Sequence, residues 1–571
     1  MNSPLLKKAL SRRILPVAGL LLLALTLRTA PVVAADAATS FTAEELAQGE
    51  RMYFDGVLPS GEPIQAYFAG DVPVLGTTFT CVSCHLRSGL GSEEGRVSTP
   101  PTNGRILYEK REPFFKGNVH VPSYHNYAVY FPVRPAYTDE TLATLIAGGV
   151  DPTGRSVLTV MPRYEIDDHN MALLIAYLKT MADEHSPGVT KEQIQFATVI
   201  VEGTDPVAVA SMIAPIQFSV DRKNALATAA AANDRVARMA YNMLGPDLLA
   251  KRFTLSRWIL KGPSDTWRAQ LEEYYRKEPV FALLGGISEG DWEPVHRFCE
   301  DNKLPDLFPI VDYPVISDTD WYTLYLSRGV RQEGEAAARY LRTMAELLQD
   351  KVVLQVYPDS RHGKALADGF RSIWNGRNRP AVTDVMLGAG ETLTAKRLQK
   401  IVGQYQPSVL VLWDDATLLK ALDGLPKKGG PKMVMVSGAT LGDGLWTIPE
   451  KYRDLVYITY PQRFPHEEKR YELSLSRVLQ GKPMAQFNKT IIKKSFITNE
   501  VLGKALMMMR SEYYRDFLLD TIGMMEDMYF PLYERVGFGP GQRYVAKGCF
   551  IVQLGKGKDP QLERRSEWVI H

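Results

Sequence analysis

Cysteine is scarce: the chain has four in 571 residues. That excludes a disulfide-stapled scaffold. Charge of one sign is missing too. The 67 basic and 65 acidic side chains leave a net charge of +2, so no asymmetry argues for nucleic acid or a membrane surface as partner. No Walker loop, hydrolytic triad signature or metal-binding His pair appears. Beyond the N-terminus, no apolar run is long enough to span a bilayer. What is present is ordinary for folded protein: 45% apolar and 23% charged residues. The length suits roughly two to four domains.

The N-terminus reads as an address. Lys7, Lys8, Arg12 and Arg13 precede the apolar run Leu15 to Leu27, and Val33-Ala34-Ala35-Asp36-Ala37 follows. A basic region, a short apolar region and an Ala-rich cleavage zone make a secretory signal peptide over residues 1–35. The alternative is a retained membrane anchor. The run is about thirteen residues, short of the roughly 20 a spanning helix needs. Cleavage and a periplasmic location are therefore the expectation.

Two of the four cysteines stand together, in Cys81-Val82-Ser83-Cys84-His85. C-x-x-C-H is the covalent attachment signature of c-type haem. The two thiols add to the porphyrin vinyl groups, and the adjacent histidine reaches the iron. A zinc half-site would want a second Cys/His pair nearby. A thioredoxin-like pair would want a βαβ setting. Neither is present.

The flanking pattern agrees. Phe41 to Phe54 reads as a helix capped by Thr42, with Glu44 and Glu45 in its first turn. Gly49 and Tyr53 share one of its faces. A second helix runs from about Asp167 to Met181, with Leu173, Leu174, Tyr177 and Leu178 as its apolar stripe. At these points residues 41 to 183 resemble the cytochrome c fold. The resemblance implies an all-α module in which a glycine-x-x-x-aromatic helix crosses a C-terminal helix bearing an aromatic; Gly49, Tyr53 and Tyr177 match. It also implies one covalently attached haem c, with Cys81 and Cys84 as anchors and His85 as proximal ligand. The distal ligand is expected at Met161, in the Met161-Pro162 loop before the second helix. His120 and His125 stay open as rivals, since two imidazoles can also ligate iron. A thioether in the last position favours electron transfer over catalysis at the haem. Arg87, Arg105 and Arg111 are candidates to pair with the haem propionates.

After Asp183-Glu184-His185-Ser186-Pro187-Gly188, a polar break ending in a turn dipeptide, the texture changes. The domains expected are 36–187 and 188–571. Strand-like runs (Gln195 to Val201, Leu255 to Leu260, Val280 to Gly286) alternate with helical ones, including Leu226 to Leu244 and Trp292 to Asn302. The alternation repeats from Gly334 to Val436, with strands at Val352 to Tyr357, Val382 to Met386, Val409 to Trp413 and Met433 to Val436. This is the pattern of parallel sheets with crossover helices. In texture and order, residues 195 to 555 resemble the type I, branched-chain amino acid/amide substrate-binding proteins of ABC transporters. The echoes are Phe281-Ala-Leu-Leu-Gly-Gly-Ile-Ser288, the helix Glu333 to Met344 and the unit Val352 to Trp374. A multidomain chain follows, with a two-lobed α/β module after the cytochrome.

Ligands of open parallel sheets sit beyond the strands' carboxyl ends. That rule selects Ser288 from one lobe and Asp359, His362 and Asp414 from the other. Glu289, Asp291 and Asp415 make the region acidic, which favours a neutral or cationic small molecule over a carboxylate. Long helices are expected over Asn499 to Tyr533 and a hairpin over Tyr544 to Leu554. Cys299 and Cys549 read as unpaired thiols. The function expected is periplasmic electron transfer, no enzyme activity being implied, with a dehydrogenase or terminal acceptor as redox partner. The alternatives are a haem-containing small-molecule receptor or sensor, or an ABC-transporter-type solute-binding protein, and an electron-accepting subunit docked on a periplasmic dehydrogenase.

Overall fold

The computed structural model describes residues 41–94, 97–111, 132–181, 185–344, 348, 351–375, 382–468, 471–538 and 542–570. The N-terminal address, His120 and His125, and Asp183-Glu184 of the polar break lie outside the described residues. Among the described residues no helix is long and apolar enough to cross a membrane.

The first module is built on two crossing helices. Ala43–Asp55 starts at Thr42, whose hydroxyl accepts the Glu45 N–H while the Glu45 carboxylate accepts the Thr42 N–H. This reciprocal capping box satisfies two orphan donors of the helix end. Asp168–Thr180 starts at Asp167, whose carboxylate accepts the Asn170 N–H. The helices meet at Gly49: a Cβ there would fall on the Leu173 carbonyl oxygen and lie 2.8 Å from the Tyr177 Cβ. Tyr53 and Tyr177 pack beside that crossing, ring centroids 5.8 Å apart. Gly49→Ala should therefore push the helices apart, costing about 1–3 kcal/mol as overpacking does. Urea unfolding of the variant measures this; an unchanged midpoint would mean that the crossing is not fixed by contact at Gly49.

The expectation of an all-α first module is corrected. Val72–Leu75, Gln65–Phe68 and Arg163–Glu165 form a three-stranded antiparallel sheet in that order. Glu93–Glu94 pairs with Val97–Ser98 in a second small ribbon. The reason is local. Ala69 (φ 52°) and Gly70 (φ 111°) turn the chain between Phe68 and Val72, and the flanking residues are aromatic and β-branched. The segment preceding the cysteines is thus a hairpin that pairs with the strand following Met161.

The second module is two-lobed. The first lobe carries five parallel strands in the order Thr323–Leu324, Asp306–Leu307, Ala282–Leu284, Gln193–Val201, Arg252–Leu260. In the second lobe, Thr383–Leu387, Val353–Pro358, Val409–Leu412, Met433–Ser437 and Val456–Tyr460 lie parallel. Gly548–Leu554 then adds antiparallel, followed by Leu562–Arg564. The central strands of both sheets are buried and apolar, as sheets covered on both faces require.

The chain crosses between lobes three times. It enters the second lobe after Tyr325, through the helix Arg331–Thr343. It returns after Phe464 to place the helices Lys489–Met509 and Arg515–Gly523 in the core of the first lobe. It enters the second lobe again after Tyr544, beside Tyr325, with which it forms a parallel bridge. Cys299 and Cys549 are separate, buried, unpaired thiols. The expected hairpin over Tyr544 to Leu554 is instead one strand, Gly548–Leu554, seated between Val456–Tyr460 and Leu562–Arg564.

Candidate functional site

Cys81–His85 forms one short helical turn that follows Thr80. Cys84 is exposed and Cys81 half-buried, and burial pushes the Cys81 thiol up to about 12. The His85 ring is buried, and its Nδ1 lies 2.8 Å from the Pro100 carbonyl oxygen. A carbonyl only accepts, so Nδ1 carries the proton and Nε2 keeps its lone pair. Burial pulls the imidazole down to about 4, which keeps it neutral. A buried, neutral, oriented imidazole is what metal ligation asks of histidine.

Two tyrosines fix the chain on either side of the cysteines. Tyr164 Oη donates to the Phe79 carbonyl at 2.7 Å, and Tyr53 Oη donates to the Leu86 carbonyl at 2.6 Å. Ser92 Oγ donates to the Cys84 carbonyl at 2.7 Å.

The Met161 loop is braced and close by. The Met161 N–H donates to the Leu158 carbonyl at 3.1 Å. The Arg163 guanidinium donates to the carbonyls of Met161 and of Val157, the latter at 3.0 Å. Gly149, at φ 72°, leaves the room this guanidinium occupies; a Cβ there would collide with it. Strand pairing of Arg163 with Tyr67, and the Tyr164 bond to Phe79, tie the loop to the segment entering the cysteine turn. The side chain of Met161 is half-buried. Leu158, on the same loop, is 72% exposed, and Val72, on the hairpin hydrogen-bonded to it through Ala69, is 50% exposed. Exposed apolar side chains on the Met161 loop and its hairpin, with an oriented histidine and two thiols on the turn to which that loop is tied, are side chains that fit a porphyrin. Cys81, Cys84, His85 and Met161 are the residues that would hold it.

The three arginines named as propionate candidates have these partners. Arg87 stacks on Phe54 at 4.7 Å and on Trp321 of the first lobe at 4.8 Å. Arg105 pairs with Glu512 of the second module. Arg111 joins Arg134 through a backbone bridge. Arg87 and Arg105 thus serve the junction between modules, which also holds a cavity of about 360 Å3 lined in part by Glu50, Tyr177, Lys303 and Asp516.

In the second module the four expected cleft residues stand at strand ends, but not as one free cluster. Ser288 is buried, and its hydroxyl accepts the Gly290 N–H within its own turn. Asp359 is paired with Lys364. Asp414 is half-buried, accepts the Asp415 N–H at 2.9 Å, and is raised by burial. His362 alone of the four reaches across the lobes: its Nδ1 is hydrogen-bonded to Tyr313 Oη. Beside it, Arg361 lies 4.0 Å over the Tyr313 ring and 3.7 Å from the Asp291 carboxylate. The acidic character expected of this region is therefore partly neutralised by Arg361 and Lys364.

Tyr313 and Arg361 were not legible as a pair, because their contact depends on how the lobes meet. Glu333 was missed as well. It sits in the helix Arg331–Thr343, its carboxylate accepting from Thr459 Oγ1 at 2.6 Å and from the Ala439 N–H at 3.4 Å. Burial pushes it up to about 7. Its neighbours stand at the carboxyl ends of two strands, so it braces the rim of the second lobe.

No family model matches the chain, and no curated protein matches it. Solved structures do. A Rhodospirillum rubrum protein provisionally described as a branched-chain amino acid ABC transporter shares 14% identity over 65% of this chain and 100% of its own, with a TM-score of 0.47. A branched-chain amino acid ABC transporter protein of Thermus thermophilus, solved with valine, shares 13% identity over 66% and 97%, TM-score 0.46. An R. palustris solute-binding protein, solved with 4-hydroxybenzoate, shares 14% over 66% and 97%, TM-score 0.46.

Proposed function

We propose that the protein is an exported c-type cytochrome built onto a two-lobed solute-binding module. The observation that carries this is His85: a buried imidazole, one residue beyond a Cys-x-x-Cys pair, with Nδ1 committed to the Pro100 carbonyl and Nε2 left free. Haem c, held by Cys81, Cys84, His85 and Met161, would supply reversible one-electron exchange with a periplasmic redox partner. The chain's own part is to orient the imidazole, brace the Met161 loop through Arg163 and surround the group with apolar side chains. The full chain produced in a host that matures c-type cytochromes should carry one haem resistant to acid-acetone extraction. A haem-free product there, or haem that extracts, overturns the reading.

The second module supports a second reading, and its fold speaks for that reading more directly than for electron transfer: a small-molecule receptor. The observation is that strand-end loops of both lobes meet at Asp291–Arg361 and Tyr313–His362. A ligand between the lobes would have to displace or rearrange these contacts. Binding to the folded state raises thermal stability by mass action, so a screen of amino acids, amides and aromatic acids should yield a compound that raises Tm. The shift should shrink in Tyr313→Ala. Failure of every compound would leave the module as a scaffold for the cytochrome.

A further inference from the structure

The two modules are joined through the chain that leaves the cysteine turn. The Ser88 N–H, buried, donates to Asp520 Oδ2 at 2.8 Å across 432 residues of sequence. Asp520 stands on the helix Arg515–Gly523 of the second module and is 5% exposed. Ser88 is three residues beyond His85. Between them, Leu86 sits at φ 60°, ψ 177°, a backbone setting that residues with side chains rarely adopt. It is held from one side by Tyr53 Oη on its carbonyl and from the other by the Asp520 bond on the next residue but one. Arg87, between those two holds, is clamped by Phe54 of its own module and Trp321 of the other.

We propose that Asp520 is a positioning residue of the haem peptide, supplied by the second module, and that its carboxyl exchanges a proton with solvent as the haem exchanges an electron. The inference rests on the haem reading given above. The groups facing this carboxyl are Asp516 on its own helix, Arg87, Ser88 and Tyr53 of the first module, and Arg543 from the segment before the last crossing. Burial, the dominant influence, raises it to about 7, and Asp516 adds to the rise. The Ser88 N–H and Arg87 oppose it.

The sign follows from charge. Loss of an electron from a group held by His85 to a mediator would add one positive charge on the peptide that Asp520 holds through Ser88, which would favour the ionised carboxyl, so a proton would leave to water with the electron. Below about pH 6 the carboxyl is neutral in both oxidation states and the midpoint potential is flat. As the pH rises beyond that region the potential falls, by at most about 59 mV per tenfold drop in proton concentration.

The test is spectroelectrochemical titration of the full-length holoprotein from pH 5 to 9. Wild type should show the fall between about pH 6 and 8. Asp520→Asn, which cannot ionise, should lose the pH dependence and keep a higher potential at pH 8. A residue that merely supported structure would shift the potential by the same amount at every pH and leave the slope. Asp516→Asn removes a like charge, so it should move the inflection to lower pH, and it decides the matter if Asp520→Asn does not fold. A pH-independent wild type, a slope retained in Asp520→Asn, or an inflection unmoved in Asp516→Asn overturns the proposal while leaving the cytochrome reading intact. A haem-free wild type overturns both.

Discussion

Met161→Ala should keep its covalent haem and lose the far-red absorption that a thioether–iron bond gives ferric cytochromes. On the proposed reading, attachment would depend on Cys81, Cys84 and His85, which the substitution does not touch. Loss of the thioether would have two further consequences. The ferrous state would be less favoured, so the midpoint potential should drop. One coordination position would be vacated, so the ferrous variant should bind carbon monoxide where wild type does not. Arg163→Leu offers a graded version. It removes the guanidinium that holds the Met161 and Val157 carbonyls, so the far-red band should weaken or become temperature-dependent without vanishing. A wild-type spectrum of two imidazoles would refute the assignment of Met161 and return the position to His120 or His125.

Local chemistry was legible from sequence; long-range pairing was not. Thr42 and Glu45 announce a helix start, and the structure forms both bonds of the box. Gly49 with Tyr53 and Tyr177 announces a close crossing, and the Leu173 backbone is there. Seven of the ten parallel strands fall within a few residues of the apolar runs read as strands, because a strand buried on two faces cannot hide its composition, whereas Asp306–Leu307, Thr323–Leu324 and Val456–Tyr460 were not read as strands.

Where expectation failed, a distant partner had overruled the local signal. The helix expected over Leu226 to Leu244 in fact begins at Pro206, breaks at Asn233 and resumes at Asp234. Pro215 reads as a helix breaker, since it lacks an N–H and crowds the preceding turn. Here the Met212 carbonyl accepts from Ser495 Oγ and the Pro215 carbonyl from the Asn499 amide. Both donors come from the helix Lys489–Met509, so nothing near Pro215 in sequence could have shown that this turn is held from outside. The small sheet of the first module was hidden similarly: Gln65–Phe68 needs Arg163–Glu165, almost a hundred residues on, as its second neighbour. Asp520 gave no signal at all. An aspartate in an amphipathic helix is ordinary, and only its bond to Ser88 sets it apart.

Arg515→Met should cost the second module about 3–5 kcal/mol, the largest stability loss expected of any single substitution considered. Arg515 opens the helix that carries Asp520 and is 6% exposed. Its guanidinium donates to the carbonyls of Phe281 at 3.2 Å, Asn302 at 3.1 Å and Lys303 at 3.4 Å, to Tyr275 Oη at 2.9 Å, and to the Val280 carbonyl. Four of these acceptors belong to two turns, the one before the strand Ala282–Leu284 and the one after the helix Glu293–Asp301; the fifth, Tyr275, lies on the helix Trp267–Lys277. Methionine fills much of the same space but leaves them all without a donor, at about 1–3 kcal/mol for each acceptor that water cannot reach. Arg515→Lys keeps the charge and still loses most of the stability, because one ammonium cannot serve a planar fan of five acceptors. The consequence extends to the first module. The Arg515 N–H also donates to Ser186 Oγ at 2.9 Å, so both the link between modules and the base of the Asp520 helix loosen together. Urea unfolding followed by tryptophan fluorescence should show the midpoint fall in both variants. Exchange protection of the Ser88 amide should fall with it, although no atom of Arg515 is hydrogen-bonded to Ser88. A loss below about 1 kcal/mol in Arg515→Met would mean that water satisfies those carbonyls and that the arginine is not what fixes the helix.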